Sequence, residues 1–337
     1  MRAFLEDRAY GCLAGLALGD ALGMPTEMLT PEAIKRHFGA LHGLAAAPEW
    51  HPHARLQPGR ITDDTGQALA IARAYDDQGR LTPESVARQL LAWADGLPPP
   101  ELDVVIGPTT RQALLELRQG KDPRSSGQPG ATNGAAMRVV AAGLVNAADF
   151  DGACQDAITA SLPTHRTGAA LAGATAVACA VAEAVRPGST CASILQAAKA
   201  GAPKGLQAGE WAWSTRLEKR IELAERLVQE AAGVPAALQA LYDYVGVSML
   251  AAESVAAAFG IVLLAEGDPS RAIHYGANIG GDTDTIAAIA GAICGAWQGI
   301  APFDADLLAQ VEAVNQIDLK QEAQRLVRMA ANKQGWE

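Results

Sequence analysis

The chain has 337 residues, 49% of them hydrophobic but only 5% aromatic, with a formal net charge of −10. An acidic chain of pI near 5.1 offers no basic patch for counterion release, which excludes bulk binding to nucleic acid or to an anionic membrane. The apolar content is mostly Ala, Leu, Val and Ile; alanine favours helices and small side chains let them pack closely, so the composition predicts an all-α core.

Residues 8–23 read as a helix with Gly11, Gly15, Gly19 and Gly23 at a four-residue step. Glycine costs up to about 1 kcal/mol at a helical site, and a close helix crossing is the expected compensation. The same step recurs at Gly291, Gly295 and Gly299, which predicts two central helices lined by glycine. The stretch 48–59, rich in Pro and His, reads as a loop with His51 and His53 in solvent. Helices are predicted over 65–75, over 83–95 (stopped by Leu97-Pro98-Pro99-Pro100) and over 104–119. Residues 120–133 lack any apolar period and read as a long loop, a type that is often functional. Helical patterning resumes over 134–145, 151–161 and 168–184. The stretch 201–215 reads as irregular, with Trp211 and Trp213 either anchoring it, the favoured reading, or stacking on a base. Helices follow over 216–231, 235–244, 248–266, 270–278, 304–314 and 319–333. No linker divides the chain, so a single domain is expected over residues 1–337.

Two uncharged stretches, 285–303 and 167–182, invite a membrane test. The first begins on acidic residues and is interrupted by Gly291, Gly295, Gly299 and Pro302; the second is Ala/Gly-rich. Both read as buried helices of a bundle, with no membrane partner. The five cysteines, 12, 154, 179, 191 and 294, have irregular spacing and read as free thiols of a reducing compartment. Residues 1–10 carry both signs of charge and do not read as a signal peptide. Together these features predict a cytoplasmic protein.

Two acidic clusters carry the chemistry. Thr62-Asp63-Asp64 and Asp282-Thr283-Asp284-Thr285 each lead into an apolar helical run, and neither contains Lys or Arg. One Asp at a helix start is a cap, but capping does not need two adjacent acids and a hydroxyl. If the fold unites the clusters, four carboxylates share one volume, and like charges about 4 Å apart repel by roughly 4 kcal/mol at intermediate dielectric. Carboxylate and hydroxyl oxygens without His or Cys suit hard cations, and four carboxylates favour two Mg²⁺ (or Mn²⁺) ions over one. Glu27 follows Met24-Pro25-Thr26 in a loop at the end of the first helix and is a third acidic candidate.

Three segments, GDALGMPTE at 19–27, TDDT at 62–65 and GGDTDT at 280–285, resemble the signature segments of the ADP-ribosylglycohydrolase family, in the same order and at similar spacing. NGAAMR at 133–138, Thr164-His165 and Glu253-Ser254-Val255 also resemble family segments. The resemblance implies a compact multi-helix domain around a binuclear metal site. It implies Thr62, Asp63, Asp64, Asp282, Asp284 and Thr285 as metal ligands, with Glu27 at the same site as ligand or mobile gate. It places Asn133, Gly134 and Ala135 near the ribose or phosphates of a substrate, and His165 along the cleft. The implied reaction is hydrolysis of a ribosyl glycosidic bond, with Glu27, Asp63 and Asp284 as candidates for the general base. The expected substrate is an ADP-ribosylated protein side chain; the alternatives are a small ribosyl compound (a nucleoside or an ADP-ribose derivative) and a non-catalytic crystallin-like member. The stretch around Trp211 and Trp213 matches no family segment.

Overall fold

The computed structural model describes residues 1–335 as seventeen α-helices without a named strand; the only β pairings among the described residues are isolated bridges. At the centre, α1 (Arg2–Gly23) crosses α15 (Thr283–Gln298) along the two glycine strips. A Cβ on Gly15 would lie 2.1 Å from the carbonyl oxygen of Gly291, and one on Gly295 would lie 2.0 Å from that of Gly11. No side chain fits there, so the predicted close crossing is realised backbone against backbone. The strip runs directly into the site: a Cβ on Gly23 would stand 2.4 Å from the Cα of Asp284.

Around this pair, α14 (Pro269–Asn278) and α17 (Leu319–Gln334) pack on α1 and α13 (Ala251–Leu264) on α15. A second layer is built on α9 (Gly168–Ala184), flanked by α7 (Val140–Val145), α8 (Phe150–Ser161) and α10 (Cys191–Ala208). Both uncharged stretches are therefore interior helices. Among the described residues no helix is long and apolar enough to cross a membrane.

Several elements differ from the sequence reading. Residues 31–38 form α2 (Pro31–Phe38), whose Thr30 cap, Pro31 and Glu32 were an available start signal. The predicted 104–119 helix is two: α5 (Pro99–Val105) and α6 (Pro108–Arg118), broken at Ile106-Gly107. The 83–95 helix ends before the proline run as expected, at Asp95, and Pro99 also opens the next helix, because a first-turn proline lacks only an N–H that has no helical partner. Residues 191–208 form α10 straight through Pro203, where the sequence reading placed an irregular stretch from 201. Gly201 and Gly205 sit there because α9's backbone presses on them; a Cβ on Gly205 would be 2.2 Å from the Leu171 carbonyl oxygen. The predicted 134–145 helix is helical only from Val140, since Asn133–Ala135 is a single 3₁₀ turn.

A candidate metal centre at two helix starts

α3 (Asp63–Ala74) and α15 begin side by side, and each delivers its acids from the first turn. Thr62 is the N-cap of α3, its hydroxyl accepting from the Asp64 N–H at 3.4 Å. Asp63 and Asp64 are thereby left free of capping duty. Asp282 occupies the N-cap position of α15 but makes no side-chain cap bond. Gly280 and Gly281, at φ +90° and +72°, supply the left-handed turn that aims it. Its carboxylate instead accepts from the Asn133 amide, which also donates to the Ser254 hydroxyl at 2.8 Å.

Glu27 completes the cluster. Carboxylate oxygens of Glu27, Asp282 and Asp284 all lie within 4.8 Å of one another. The same three acids, with Asp63, Asp64 and Thr285, line one cleft of ≈ 160 Å³ that also includes Asn133, Gly134 and His165. Among the described residues none of the side chains lining this cleft is Lys or Arg.

The loop carrying Glu27 is contacted by two buried histidines. His51 Nε2 bonds the Glu27 carbonyl oxygen at 2.7 Å, and His53 Nδ1 lies 3.4 Å from the Glu27 carboxylate. The two histidines are only 4% and 3% exposed, which corrects the expectation that they stand in solvent. They are the inner side of the 48–59 loop, folded back over the end of α1. Met28, next to Glu27, holds φ +61°, strain that its N–H bond to the Gly281 carbonyl (2.7 Å) helps to maintain.

Electrostatics confirm that the cluster is crowded. Burial, reinforced by the charge of Asp284, pushes Asp63 up to about 8. Burial and then the neighbouring acids, Asp284 first, push Glu27, Asp64 and Asp282 well above the usual carboxylate range. Asp284 is raised by burial as well. Two oxygens in this cluster, Asp64 Oδ1 and Asp284 Oδ1, are buried and have no hydrogen-bond partner. Buried acceptors in native proteins are nearly always satisfied, so orphaned carboxylate oxygens among other acids mark a place for a hard cation, and the donor set fits one.

A model of the family described as ADP-ribosylglycohydrolase matches residues 1–335. The chain belongs to the ADP-ribosylglycohydrolase family. It is 38% identical to an uncharacterized protein, YegU, of Escherichia coli (strain K12), over 96% of this chain and 97% of that one. It is 27% identical to the ADP-ribosylarginine hydrolase Tri1 of Pseudomonas putida (strain GB-1), over 90% of this chain and 74% of that one. A solved structure described as an ADP-ribosylglycohydrolase-related protein complex shares the fold at a TM-score of 0.67 and 26% identity, covering 98% of this chain and 99% of that one. Members of this family are enzymes that cleave glycosidic bonds, and an ADP-ribose linkage is the bond class that membership assigns to this glycohydrolase.

Within this family member the expected site residues fall in three places. Glu27, Asp63, Asp64, Asp282, Asp284, Thr285, Asn133, Gly134 and His165 meet at the cleft. Thr62 is not among the lining residues but borders them, its hydroxyl donating to Asp64 Oδ2 at 3.3 Å. Ala135 lies away from the cleft lining, fully buried in the hydrophobic core. Trp211 and Trp213 anchor nothing: they are 84% and 87% exposed.

Sequence reasoning missed two groups. Asp20, fully buried in the last turn of α1, accepts from the N–H groups of Thr62 (2.9 Å) and Thr65 (3.0 Å) and from the Thr65 hydroxyl (2.6 Å). It clamps the start of α3 onto α1, and burial raises it to about 6 despite those bonds. An Asp inside an apolar, glycine-stepped helix was the available signal. The other group is the wall 104–110, where Gly107 offers its N–H to Asp63 Oδ2 at 3.4 Å. Pro108 inside the supposed helix should have announced that break.

Proposed function

We propose that this chain is a divalent-metal-dependent hydrolase that releases ADP-ribose from a modified protein side chain, with arginine as the first acceptor to test. The observation that carries the reading is the pair of buried, unpartnered oxygens, Asp64 Oδ1 and Asp284 Oδ1, inside an acid cluster with no lining cation. Glu27, Thr62, Asp63, Asp64, Asp282, Asp284 and Thr285 would hold two Mg²⁺ or Mn²⁺ ions. Bound there, the ions supply Lewis acidity toward ribose hydroxyls and water. The similarity to an ADP-ribosylarginine hydrolase supports the acceptor.

The chain's own residues divide the remaining work. Asn133 orients Asp282, and Asp20 orients the α3 turn that presents Asp63 and Asp64. Asp63 Oδ2 already accepts from Gln67 (2.7 Å) and Gly107, which suits it to a fixed role. Glu27 sits on a loop at the cleft and is the best placed of the three candidates to accept a proton from the attacking water. Such reactions pass through an oxocarbenium-like state, which the surrounding carboxylates favour electrostatically. His165 and Gly134 line the wall facing the acids, where they meet the rest of the substrate.

A second reading has one observation in its favour. Ligand pockets usually enclose roughly 300–1,000 Å³, and this cleft encloses ≈ 160 Å³. A cleft of that size favours a small ribosyl substrate. The five free cysteines, with no disulfide among the described residues, support a cytoplasmic setting. The deciding experiment is a substrate panel with Mg²⁺ or Mn²⁺: ADP-ribosyl-arginine protein, ADP-ribosyl-serine peptide, ADP-ribose-1''-phosphate and simple nucleosides. Release from nucleosides alone overturns the protein reading, and unchanged turnover in EDTA overturns the metal reading.

A further inference from the structure

Behind the cleft lies a buried cation that the reaction does not touch. Arg138 is fully buried and, among the described residues, bonds no carboxylate directly; the charge that acts on it is that of Asp63, reached through Gln67. Its Nε has no hydrogen-bond partner. An unpaired buried charge is costly, so its retention calls for a role. Its two other nitrogens serve different partners. Nη1 donates to Gln67 Oε1 at 2.5 Å, and Gln67 Nε2 donates to Asp63 Oδ2 at 2.7 Å. Nη2 donates to the Thr164 hydroxyl; that hydroxyl is 2.8 Å from His165 Nδ1, and His165 Nε2 is 3.0 Å from the Thr132 hydroxyl.

The direction of each bond follows from chemistry. A guanidinium has donors only, so Thr164 Oγ1 must accept from it. The single hydroxyl proton of Thr164 then goes to His165 Nδ1 at 2.8 Å rather than to the Ser161 carbonyl at 3.5 Å. His165 Nδ1 is therefore the acceptor, and the ring proton sits on Nε2, aimed at Thr132. On the other arm, Arg138 can bond only the amide oxygen of Gln67, which turns the amide nitrogen toward Asp63. A flipped amide would set oxygen against carboxylate. Gly134 makes room for the ring: a Cβ there would lie 2.9 Å from His165 Cε1. Burial, aided by the Arg138 charge, lowers His165 to about 3, so the ring is neutral.

We infer that Arg138 is a positioning residue that polarises both walls of the cleft at once. Through Gln67 it orients Asp63, and through Thr164 it locks His165 as a neutral Nε2–H donor. That donor would exchange the Thr132 hydroxyl for an acceptor oxygen, hydroxyl or phosphate, of the ribosyl substrate. The last step rests on the proposed function; the bond directions do not.

The test is nitrogen-15 NMR of histidine-labelled, metal-free protein at pH 7, with His165 assigned from a His165→Gln spectrum. The expected wild-type signal is an unprotonated Nδ1 with a protonated Nε2. Thr164→Val and Arg138→Met should each shift His165 toward the other tautomer, and Arg138→Lys should restore one arm only. Mn²⁺ titration reads the other wall. Gln67→Leu and Arg138→Met should weaken Mn²⁺ roughly 10–100-fold, the usual range for groups behind metal ligands, while Thr164→Val should not. An Nδ1–H tautomer in the wild type, or a His165 spectrum unmoved by Thr164→Val, overturns the inference; Thr164→Val keeps that test open should the Arg138 variants fail to fold. If the wild type binds no Mn²⁺, the metal reading falls while the tautomer result still decides this one.

Discussion

Replacing Asp284 by Asn should stabilise the metal-free protein at pH 8 and destroy most of the stabilisation that a metal confers. The carboxylate oxygens of Glu27, Asp282 and Asp284 lie within 4.8 Å of one another. At an effective dielectric near 20, each ionised pair at that separation repels by about 3 kcal/mol. Asp284 belongs to two of these pairs, so with all three ionised, neutralising it would relieve about 6 kcal/mol. The wild type already escapes part of this by taking up protons, and on the order of 2 kcal/mol should remain to be gained. For a chain of this size that corresponds to roughly 3 °C in Tm. The pH sign is fixed by the raised carboxyls. An acid whose folded pKa is raised binds its proton more tightly when folded, so its contribution is complete below the ordinary value and is lost as pH rises through the folded one. Asp63 moves from 3.8 to about 8, so the wild type in EDTA should lose stability progressively between pH 4 and 8. Asp284→Asn should lose less. Calorimetric melts in EDTA at pH 5 and 8, repeated with Mg²⁺, give all four comparisons. An Asp284→Asn protein that is equally destabilised at both pH values, or that gains as much from Mg²⁺ as the wild type, refutes the reasoning.

Other outcomes follow from single contacts. Gly15→Ala puts a methyl 2.1 Å from the Gly291 carbonyl oxygen and should cost about 3 kcal/mol in urea denaturation, the upper range for overpacking; a neutral result would mean that α1 and α15 can separate. Thr65→Val removes the hydroxyl bond to Asp20, and a hydrogen bond to a charged group contributes about 1.5–3 kcal/mol, so both stability and Mn²⁺ affinity should fall. Trp211→Ala with Trp213→Ala should change stability by under about 0.5 kcal/mol, because both rings are exposed; a larger loss would restore them as anchors. His53→Gln, which disturbs the contact with the Glu27 carboxylate, should reduce turnover and, because the buried ring also bonds the Val104 carbonyl oxygen at 2.9 Å, lower the melting temperature; unchanged turnover would mean that the contact is idle.

Much of this architecture was legible because composition and period say the same thing. The glycine step in 11–23 and 291–299 predicted a close helix crossing at the centre, and the crossing found there sets Asp284 beside Gly23. The clusters at 62–64 and 282–285 were legible because they contain more carboxylates than capping can use. What stayed hidden was whatever depends on long-range partners. His51 and His53 looked like loop residues because nothing local shows that the loop folds back onto Glu27. Pro203 lies inside a helix because packing against α9 overrides the local preference. Arg138 sat in a recognisable segment, yet its two-armed network reaches Gln67 and Thr164 from distant parts of the chain. Trp211 and Trp213 erred in the opposite direction, since large aromatics are usually covered and these are not.

The central claim is that the buried acids hold hard cations for cleaving an ADP-ribose linkage. Its most direct test is release of ADP-ribose from ADP-ribosyl-arginine protein by the metal-stripped chain, before and after Mg²⁺ or Mn²⁺ is restored, beside an Asp282→Ala, Asp284→Ala variant. Turnover should be absent in EDTA, return with the metal, and stay absent in the variant. Equal release in all three states would contradict the account.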